Sequence, residues 1–415
     1  MITYSEALEQ IVAALKPAAP VTVGPGAALG AGLGKPVASR LNVPDFDNAA
    51  MDGIAVRAAD VAQAAAGRPV TLRVIGVAPA GHRSEQNVDA GQAVEIMTGA
   101  PMPPGADTVI PVERVEWREA DGGDKLALVE MATERGRNVR RAGEDFCAGD
   151  QLLAAGNVLS PEAVMNLAAG GVDEVVAVLP PAVAVITTGS ELAASGAPTG
   201  TGKIRDSNGP YLAAGLAPMG GALVGMHSAA DEPDALAAAM TAAAAGAQLV
   251  LTTGGVSAGK FDCVPAAVVA AGGEVLFHKV AIRPGKPMLF AALPDDRWLL
   301  GLPGNPVAVA VGLRFFVAPA LRVLRGLAPE QALPARSSHA IRKRPDLRFF
   351  GKASATVSAA GQLEVALLPG QESFRVRPLL AANCWAIVAE DRDEVAPGEL
   401  IEIAPLYPTS FLQTS

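Results

Sequence analysis

The chain is poor in residues that cross-link a fold or hold a soft metal. Its 415 residues include three cysteines, Cys147, Cys263 and Cys384, which stand far apart with no C-x-x-C spacing. Neither a disulfide frame nor a zinc knuckle is predicted, and a reducing, cytoplasmic setting fits. The four histidines, His82, His227, His278 and His339, also lack metal-ligand spacing and receive no role. Uninterrupted apolar runs are missing too. The nearest candidate, Ala235 to Leu251, is broken by Thr241, Gly246 and Gln248 and follows Asp231-Glu232, which predicts a helix, a turn and a strand instead of a bilayer crossing. No basic lead-in precedes an apolar stretch in MITYSEALEQ, so no signal peptide is expected. Basic residues are outnumbered, 33 against 42 acidic, and the net charge of -9 disfavours nucleic-acid binding driven by phosphate neutralisation. Any anionic ligand must be held by a local cluster.

What the chain does have is length, alanine and turn residues. Roughly two to four compact units are expected at this size. Thr3-Tyr4-Ser5-Glu6 has capping-box spacing, and Leu8, Ile11, Val12 and Leu15 follow on one helical face up to Lys16-Pro17. From Val21 to Val43 periodicity fades. Between residues 69 and 130, short β-type runs such as Val70 to Val77 and Leu126 to Val129 alternate with Gly, Pro and Asp clusters, predicting a small β-rich unit. Ser160-Pro161 starts a helix through Val164 and Leu167 that ends at Gly170-Gly171. From Pro180 the texture changes. Strands at Ala182 to Ile186, Ala222 to Met226, Leu249 to Thr252 and Val275 to Ile282 alternate with helices at Asn208 to Leu216, Pro233 to Ala244 and Val264 to Ala271, and Asn305-Pro306 opens a long helix. This alternation predicts a parallel sheet covered on both faces. RGLAPEQALPARSS, from Arg325, reads as a linker; the remainder, with alternating runs around Gln362 to Leu368 and Cys384 to Val388, reads as a small β domain.

In a doubly wound sheet, ligands bind beyond the carboxyl ends of the strands, where loops point helix N-termini and free N–H groups at a common crevice. LVLTTGGVSAGKFD, residues 249 to 262, ends at such a place. Gly254 and Gly255 let the backbone turn and approach a ligand, their amides with those of Ser257 and Gly259 suit an anion, and Asp262 adds a carboxylate. A tight βα turn with a capping aspartate has the same sequence. TTGSEL places Glu191 at the same rim, GKIRDSNGPY places Asp206, Ser207 and Asn208 there, and RPGKP supplies Arg283 and Lys286 near Lys279. Singly these are caps, a turn acid and solvated cations. Together they suit a phosphate-bearing ligand whose charge is shared between Lys or Arg and a hard divalent ion held by carboxylate oxygens. GLPGNP, residues 301 to 306, is sound helix-start chemistry, with Asn305 as cap and Pro306 at the first helical position. Farther off, PDFDNAAMDGIAVR packs Asp45, Asp47 and Asp52 into a loop, and VRRAGED sets Arg140 and Arg141 beside Glu144 and Asp145, as a surface salt-bridge cluster also would.

DNAAMDGIAVR, MTGAPMPPGADTVIPVE, VRRAGED, TTGSEL, IRDSN, LTTGGVSAGKFD, KVAIRPGKP and GLPGNP, in this order, closely resemble the molybdopterin molybdenumtransferases of molybdenum-cofactor biosynthesis, a group that includes gephyrin's enzymatic domain. The resemblance implies an α/β multidomain chain in an elongated homodimer. Its parts would be residues 1–53 with 144–180 as an N-terminal helical and linker domain, 54–143 as a β-rich inserted domain, 181–324 as an α/β molybdopterin-binding domain and 325–415 as a C-terminal β domain. Members take adenylylated molybdopterin and molybdate, insert the metal at the dithiolene sulfurs and release AMP, assisted by Mg2+ or a similar ion. The positions matching the family's functional residues are Asp52, Thr98, Arg140, Asp145, Glu191, Asp206, Asp262, Lys279, Arg283, Lys286, Pro303 and Pro306.

By the same resemblance, Glu191, Asp206 and Asp262 would hold the divalent ion, and Ser207, Ser257 and the Gly254 and Gly255 amides would face the substrate. Lys279, Arg283, Lys286 and Arg140 would offset the charge of molybdate and AMP, Thr98, Pro303 and Pro306 would also face the substrate, and Asp52 and Asp145 would arrive from the partner subunit. A molybdopterin adenylyltransferase and recipient molybdoenzymes are the implied partners, with no nucleic acid and no membrane. Three departures stand out: Ser190 in TTGSEL and Lys260 in GKFD replace acidic residues, and Ser373 in GQESFRVRPLLAAN is followed by Phe374, Arg375 and Arg377. Two rival readings are a molybdopterin-binding carrier or scaffold paralogue without full transferase activity, and a related-fold hydrolase or adenylyltransferase, which would lack DNAAMDG and GED.

Overall fold

Six strands after residue 180 form one sheet in the order Ala222–Ala229, Ala182–Thr188, Leu249–Thr253, Arg297–Leu302, Leu289–Leu293, Glu274–His278. The computed structural model describes residues 1–193, 200–256 and 263–408. The first four strands run parallel, whereas Leu289–Leu293 is antiparallel to both neighbours, so the all-parallel expectation is corrected to a mixed sheet. The cause is local. Only Pro294, Asp295 and Asp296 separate Leu289–Leu293 from Arg297–Leu302, and both aspartates are left-handed, at φ +59 and +54. Two left-handed residues make a hairpin turn, and no crossover fits in that length. The strand expected from Val275 to Ile282 also stops early, at His278, because Lys279 takes φ +76; Ile282–Arg283 pairs instead with Arg348–Phe349 in another sheet.

Helices cover both faces of the sheet, as expected. On one side Leu212, Leu216 and Met219 meet Phe316, Val317 and Leu321; on the other Leu236, Met240, Val264 and Val268 form a second core. The helix Pro306–Leu324 is long and apolar enough to cross a membrane, but 83% of its most apolar stretch is buried inside the protein, which makes it the central core helix.

The first helix, Tyr4–Ala14, has the predicted capping box: Thr3 Oγ1 accepts the Glu6 N–H at 3.2 Å and the Glu6 carboxylate accepts the Thr3 N–H at 2.8 Å. Its buried face is Tyr4, Ala7, Ile11 and Leu15, while Val12 is 46% exposed, a rotation from the face read off the sequence. Tyr4 sets the rotation. Its ring meets Phe315, Phe316 and Phe350 edge-on and its hydroxyl donates to the Phe315 carbonyl, tying the helix to the core helix and the C-terminal sheet at once.

Toward the N-terminus, Gly53–Val56, Val70–Ala78, Gln92–Ile96, Thr108–Pro111, Val115–Glu119 and Lys125–Val129 make a separate sheet. Pro161–Ala169 is the predicted helix, its Ser160 hydroxyl accepting the Ala163 N–H. In the C-terminal part, Leu333–Ser337, Leu363–Leu367, Arg348–Val357, Cys384–Val388 and Leu400–Pro405 close into a ring, a small barrel. Cys384–Val388 is buried at every position instead of alternating, because Trp385 and Ile387 pack outward onto the core helix while Cys384, Ala386 and Val388 fill the barrel.

The predicted linker is not one. Leu333–Ser337 is a barrel strand, and Arg325 is buried at 6% exposure. Its guanidinium donates to the carbonyls of Gly30, Met219 and Leu321, and burial pushes its pKa down to about 10. A Cβ at Gly220 would lie 2.2 Å from the guanidinium carbon.

Phe316 is fully buried where sheet, core helix and first helix meet. Phe316→Ala is expected to cost about 3–5 kcal/mol, read as a lower urea midpoint.

Candidate active site

At the carboxyl ends of the parallel strands lies a cleft of about 300 Å³, walled by Thr188 and Glu191, by Gly254 and Gly255, and by Pro303 and Gly304. Its form follows from glycine. Gly254 takes φ +94, and a Cβ there would stand 2.4 Å from the Thr188 carbonyl oxygen; Gly255 takes φ +64. The Gly254 N–H donates to Leu302 O at 3.1 Å, so the ends of three adjacent strands are drawn together.

Asp231, at the end of the next strand, fastens the Thr188 loop. Its carboxylate accepts the Thr188 hydroxyl at 2.5 Å and the Ser190 N–H at 2.6 Å. Sequence reasoning passed over this residue; its one signal was an acid just beyond a strand. Ser190 also offers its carbonyl to the Lys203 ammonium. Glu191 is exposed at the rim. Leu192–Ala193 pairs with Ile204–Arg205 in parallel, which puts Glu191 and Asp206 at opposite ends of that short pairing.

Capping of Asn208–Met219 falls to Asp206, not to Ser207 or Asn208. Asp206 Oδ1 accepts the N–H groups of Asn208 and Gly209, each at 3.0 Å, while Ser207 makes no side-chain cap bond. Among the described residues the other Asp206 oxygen and both Glu191 oxygens accept no hydrogen bond. These are hard oxygen donors, suited to a magnesium-like ion. The described residues hold no group of three such ligands, and the third expected carboxylate, Asp262, lies outside them, as does Ser257.

Arg283 and Lys286 are exposed on the segment leading to Pro287, which lines the cleft. Lys279 precedes them with its N–H on Met288 O and its carbonyl accepting the Ile2 N–H. Pro303 is buried in the wall and Pro306 begins the core helix, with Asn305 at the cap position but without a side-chain cap bond.

The two N-terminal motifs form their own cluster. Asn48–Ala49 pairs with Val139–Arg140, and the Arg141 guanidinium bonds Asp47 at 2.6 Å, so VRRAGED is joined to the DNAAMDG loop instead of forming an isolated salt-bridge patch. The Thr98 N–H and hydroxyl both donate to Asp52 Oδ1, at 2.7 and 2.8 Å, and hold that carboxyl below the usual aspartate range. Asp47 is held low by the Ala142 N–H and by Arg141. Asp52, Thr98, Arg140 and Asp145 are all exposed. Among the described residues no hydrogen bond or ion pair joins this cluster to the cleft.

Residues 2–171 match the family described as MoeA N-terminal region (domain I and II), 184–323 a probable molybdopterin binding domain, and 334–406 the MoeA C-terminal region (domain IV). A molybdopterin molybdenumtransferase of Synechococcus elongatus is 38% identical over 90% of this chain and 91% of its own length. The chain belongs to the molybdopterin molybdenumtransferase family. A second relative in that family, molybdopterin molybdenumtransferase 2 of Mycobacterium tuberculosis, is 37% identical over 92% of this chain and 94% of its own. The solved molybdopterin biosynthesis MoeA protein of Pyrococcus horikoshii superposes with a TM-score of 0.76 at 28% identity, covering 97% of this chain and 99% of that one.

Two outcomes are expected for residues at family motif positions. Gly254→Ala forces both a left-handed alanine and a backbone collision, costing about 1–3 kcal/mol in thermal unfolding and abolishing ligand binding at the cleft. Thr98→Val removes one of the two donors that depress Asp52, so its pKa, followed by carboxyl 13C NMR, rises toward the ordinary value. Because the folded-state pKa is depressed, the stability contributed by this carboxylate is present above the unfolded value and lost as pH falls through the folded one.

Proposed function

We propose that this protein inserts molybdenum into adenylylated molybdopterin with release of AMP, in molybdenum-cofactor biosynthesis. The observation that carries the reading is the cleft, where left-handed glycine turns, the Glu191 carboxylate and Pro287 of the Arg283–Lys286 segment meet at the strand ends, inside the residues matched to a probable molybdopterin binding domain. The Gly255 amide, with Ser207 and Ser257, holds pterin and phosphate oxygens, whereas the Gly254 N–H, expected to face the ligand, is committed to the Leu302 carbonyl. Lys279, Arg283, Lys286 and Arg140 offset the charge of molybdate and of the departing AMP. Glu191, Asp206 and Asp262 hold a divalent ion such as Mg2+, whose chemistry is to polarise a phosphoryl oxygen.

The same reading takes a homodimer in which Asp52, Thr98, Arg140 and Asp145 of a second copy complete the site. Asp52, kept ionised by Thr98, is a hydrogen-bond acceptor that orients a water or a ligand hydroxyl there. The four-part division with boundaries near residues 54, 144, 181 and 325, the cytoplasmic setting, and exchange with an adenylyltransferase and recipient molybdoenzymes belong to the same reading.

The test is incubation of the protein with adenylylated molybdopterin, Mg2+ and molybdate, following AMP release and molybdenum incorporation together. Glu191→Ala, and Asp206→Asn, which keeps an acceptor for the Asn208 and Gly209 N–H groups, should each lower AMP release by roughly a hundredfold or more while folding normally. Tight ligand binding without AMP release by the unaltered protein would instead favour the carrier reading.

A further inference from the structure

The carboxamide of Asn208 links two walls of the cleft. Its Nδ2 donates to Thr253 Oγ1 at 2.9 Å and to the Gly304 carbonyl at 2.8 Å, and the Thr253 hydroxyl in turn donates to the Pro303 carbonyl at 3.3 Å. Thr253 ends the central strand immediately before Gly254, and Pro303 with Gly304 forms the facing wall. Both hydrogens of the amide are therefore spent, one on each wall.

The oxygen of the same amide tells the other half. Asn208 Oδ1 is buried and has no hydrogen-bond partner among the described residues. A buried acceptor without a donor is a net cost, so the residue is kept for what it donates. The reverse orientation would set oxygen against the Gly304 carbonyl, which fixes the assignment of the two amide atoms. Its backbone is held as well, since Asp206 Oδ1 accepts the Asn208 N–H at 3.0 Å.

We propose that Asn208 is a positioning residue that sets the width of the ligand cleft by bridging the Thr253–Gly254 turn to the Pro303–Gly304 loop. The substrate assignment of that cleft rests on the function proposed above; the bridge itself does not. A cleft of unset width holds ground state and transition state equally poorly, so loss of the bridge weakens binding and spares the chemical step.

Asn208→Asp keeps the shape and removes both donors; Asn208→Ala removes the side chain; Thr253→Val removes one anchor. For Asn208→Ala the KM for adenylylated molybdopterin should rise about tenfold with kcat within about twofold, and the thermal midpoint should stay close to that of the unaltered protein; Asn208→Asp, which sets a carboxylate oxygen against the Gly304 carbonyl, should raise KM at least as far and lower the thermal midpoint as well. Asn208→Ala/Thr253→Val should show less than the sum of the two single effects, because the variants share one link. An unchanged KM beside a fallen thermal midpoint, or strict additivity, would overturn the bridge. Amide hydrogen exchange in the unliganded protein reads the same point without turnover: Gly254, Gly255 and Gly304 should exchange faster in Asn208→Ala, and unchanged exchange there counts against it. If the unaltered protein releases no AMP, the transferase reading fails while this exchange result still decides the bridge.

Discussion

The cleft exists because two parallel strand ends touch at a point that admits no side chain. With the Thr188 carbonyl 2.4 Å from where a Cβ of residue 254 would stand, the Leu249–Thr253 strand can turn away only through a left-handed glycine. That turn commits the Gly254 N–H to the Leu302 carbonyl and brings the Gly255 backbone to the cleft, where a backbone N–H suits an anion. Everything else at the site is arranged around this contact. Asp231 pins one flank through Thr188 and Ser190, and Asp206 starts the helix whose Asn208 links two walls.

Much of this was legible in the chain, and the misses have physical causes. Strand–helix alternation after Pro180 gave the layered α/β unit because apolar runs of that length have to be buried on both faces. It could not give the direction of Leu289–Leu293, which is decided by two aspartates adopting left-handed backbone, a conformation their side chains tolerate but do not announce. The capping box of the first helix was readable from four residues; which face it buries was not, because Tyr4 answers to Phe315, Phe316 and Phe350, all more than three hundred residues away. The barrel strand Leu333–Ser337 was hidden for a similar reason. Its neighbours in the sheet, Leu363–Leu367 and Leu400–Pro405, come much later in the chain.

At the site, the local chemistry of the motif residues was not legible in the chain. Asp206 was expected at the rim, yet one of its oxygens serves a helix start. Ser207 was expected as a cap and makes none. Asn208 was grouped with the caps, although its side chain bonds two separate loops. Such roles depend on which carbonyls lie within 3 Å, a property of the folded chain. The acidic balance of the whole sequence is likewise uninformative about the cleft, since exposed Arg283 and Lys286 lie on the segment that leads to its wall at Pro287.

Arg325 has a consequence for how the chain comes apart. Its planar fork collects carbonyls from three places distant in sequence, Gly30, Met219 and Leu321, inside a slot kept open by the missing side chain of residue 220. A lysine offers a single nitrogen and cannot serve three diverging acceptors. Severing the chain between the N-terminal portion and the α/β portion therefore does more than free two halves: it strips a desolvated cation of an acceptor. Neither fragment inherits the cohesion of the intact polypeptide, because the Gly30 carbonyl and the guanidinium that it serves are parted.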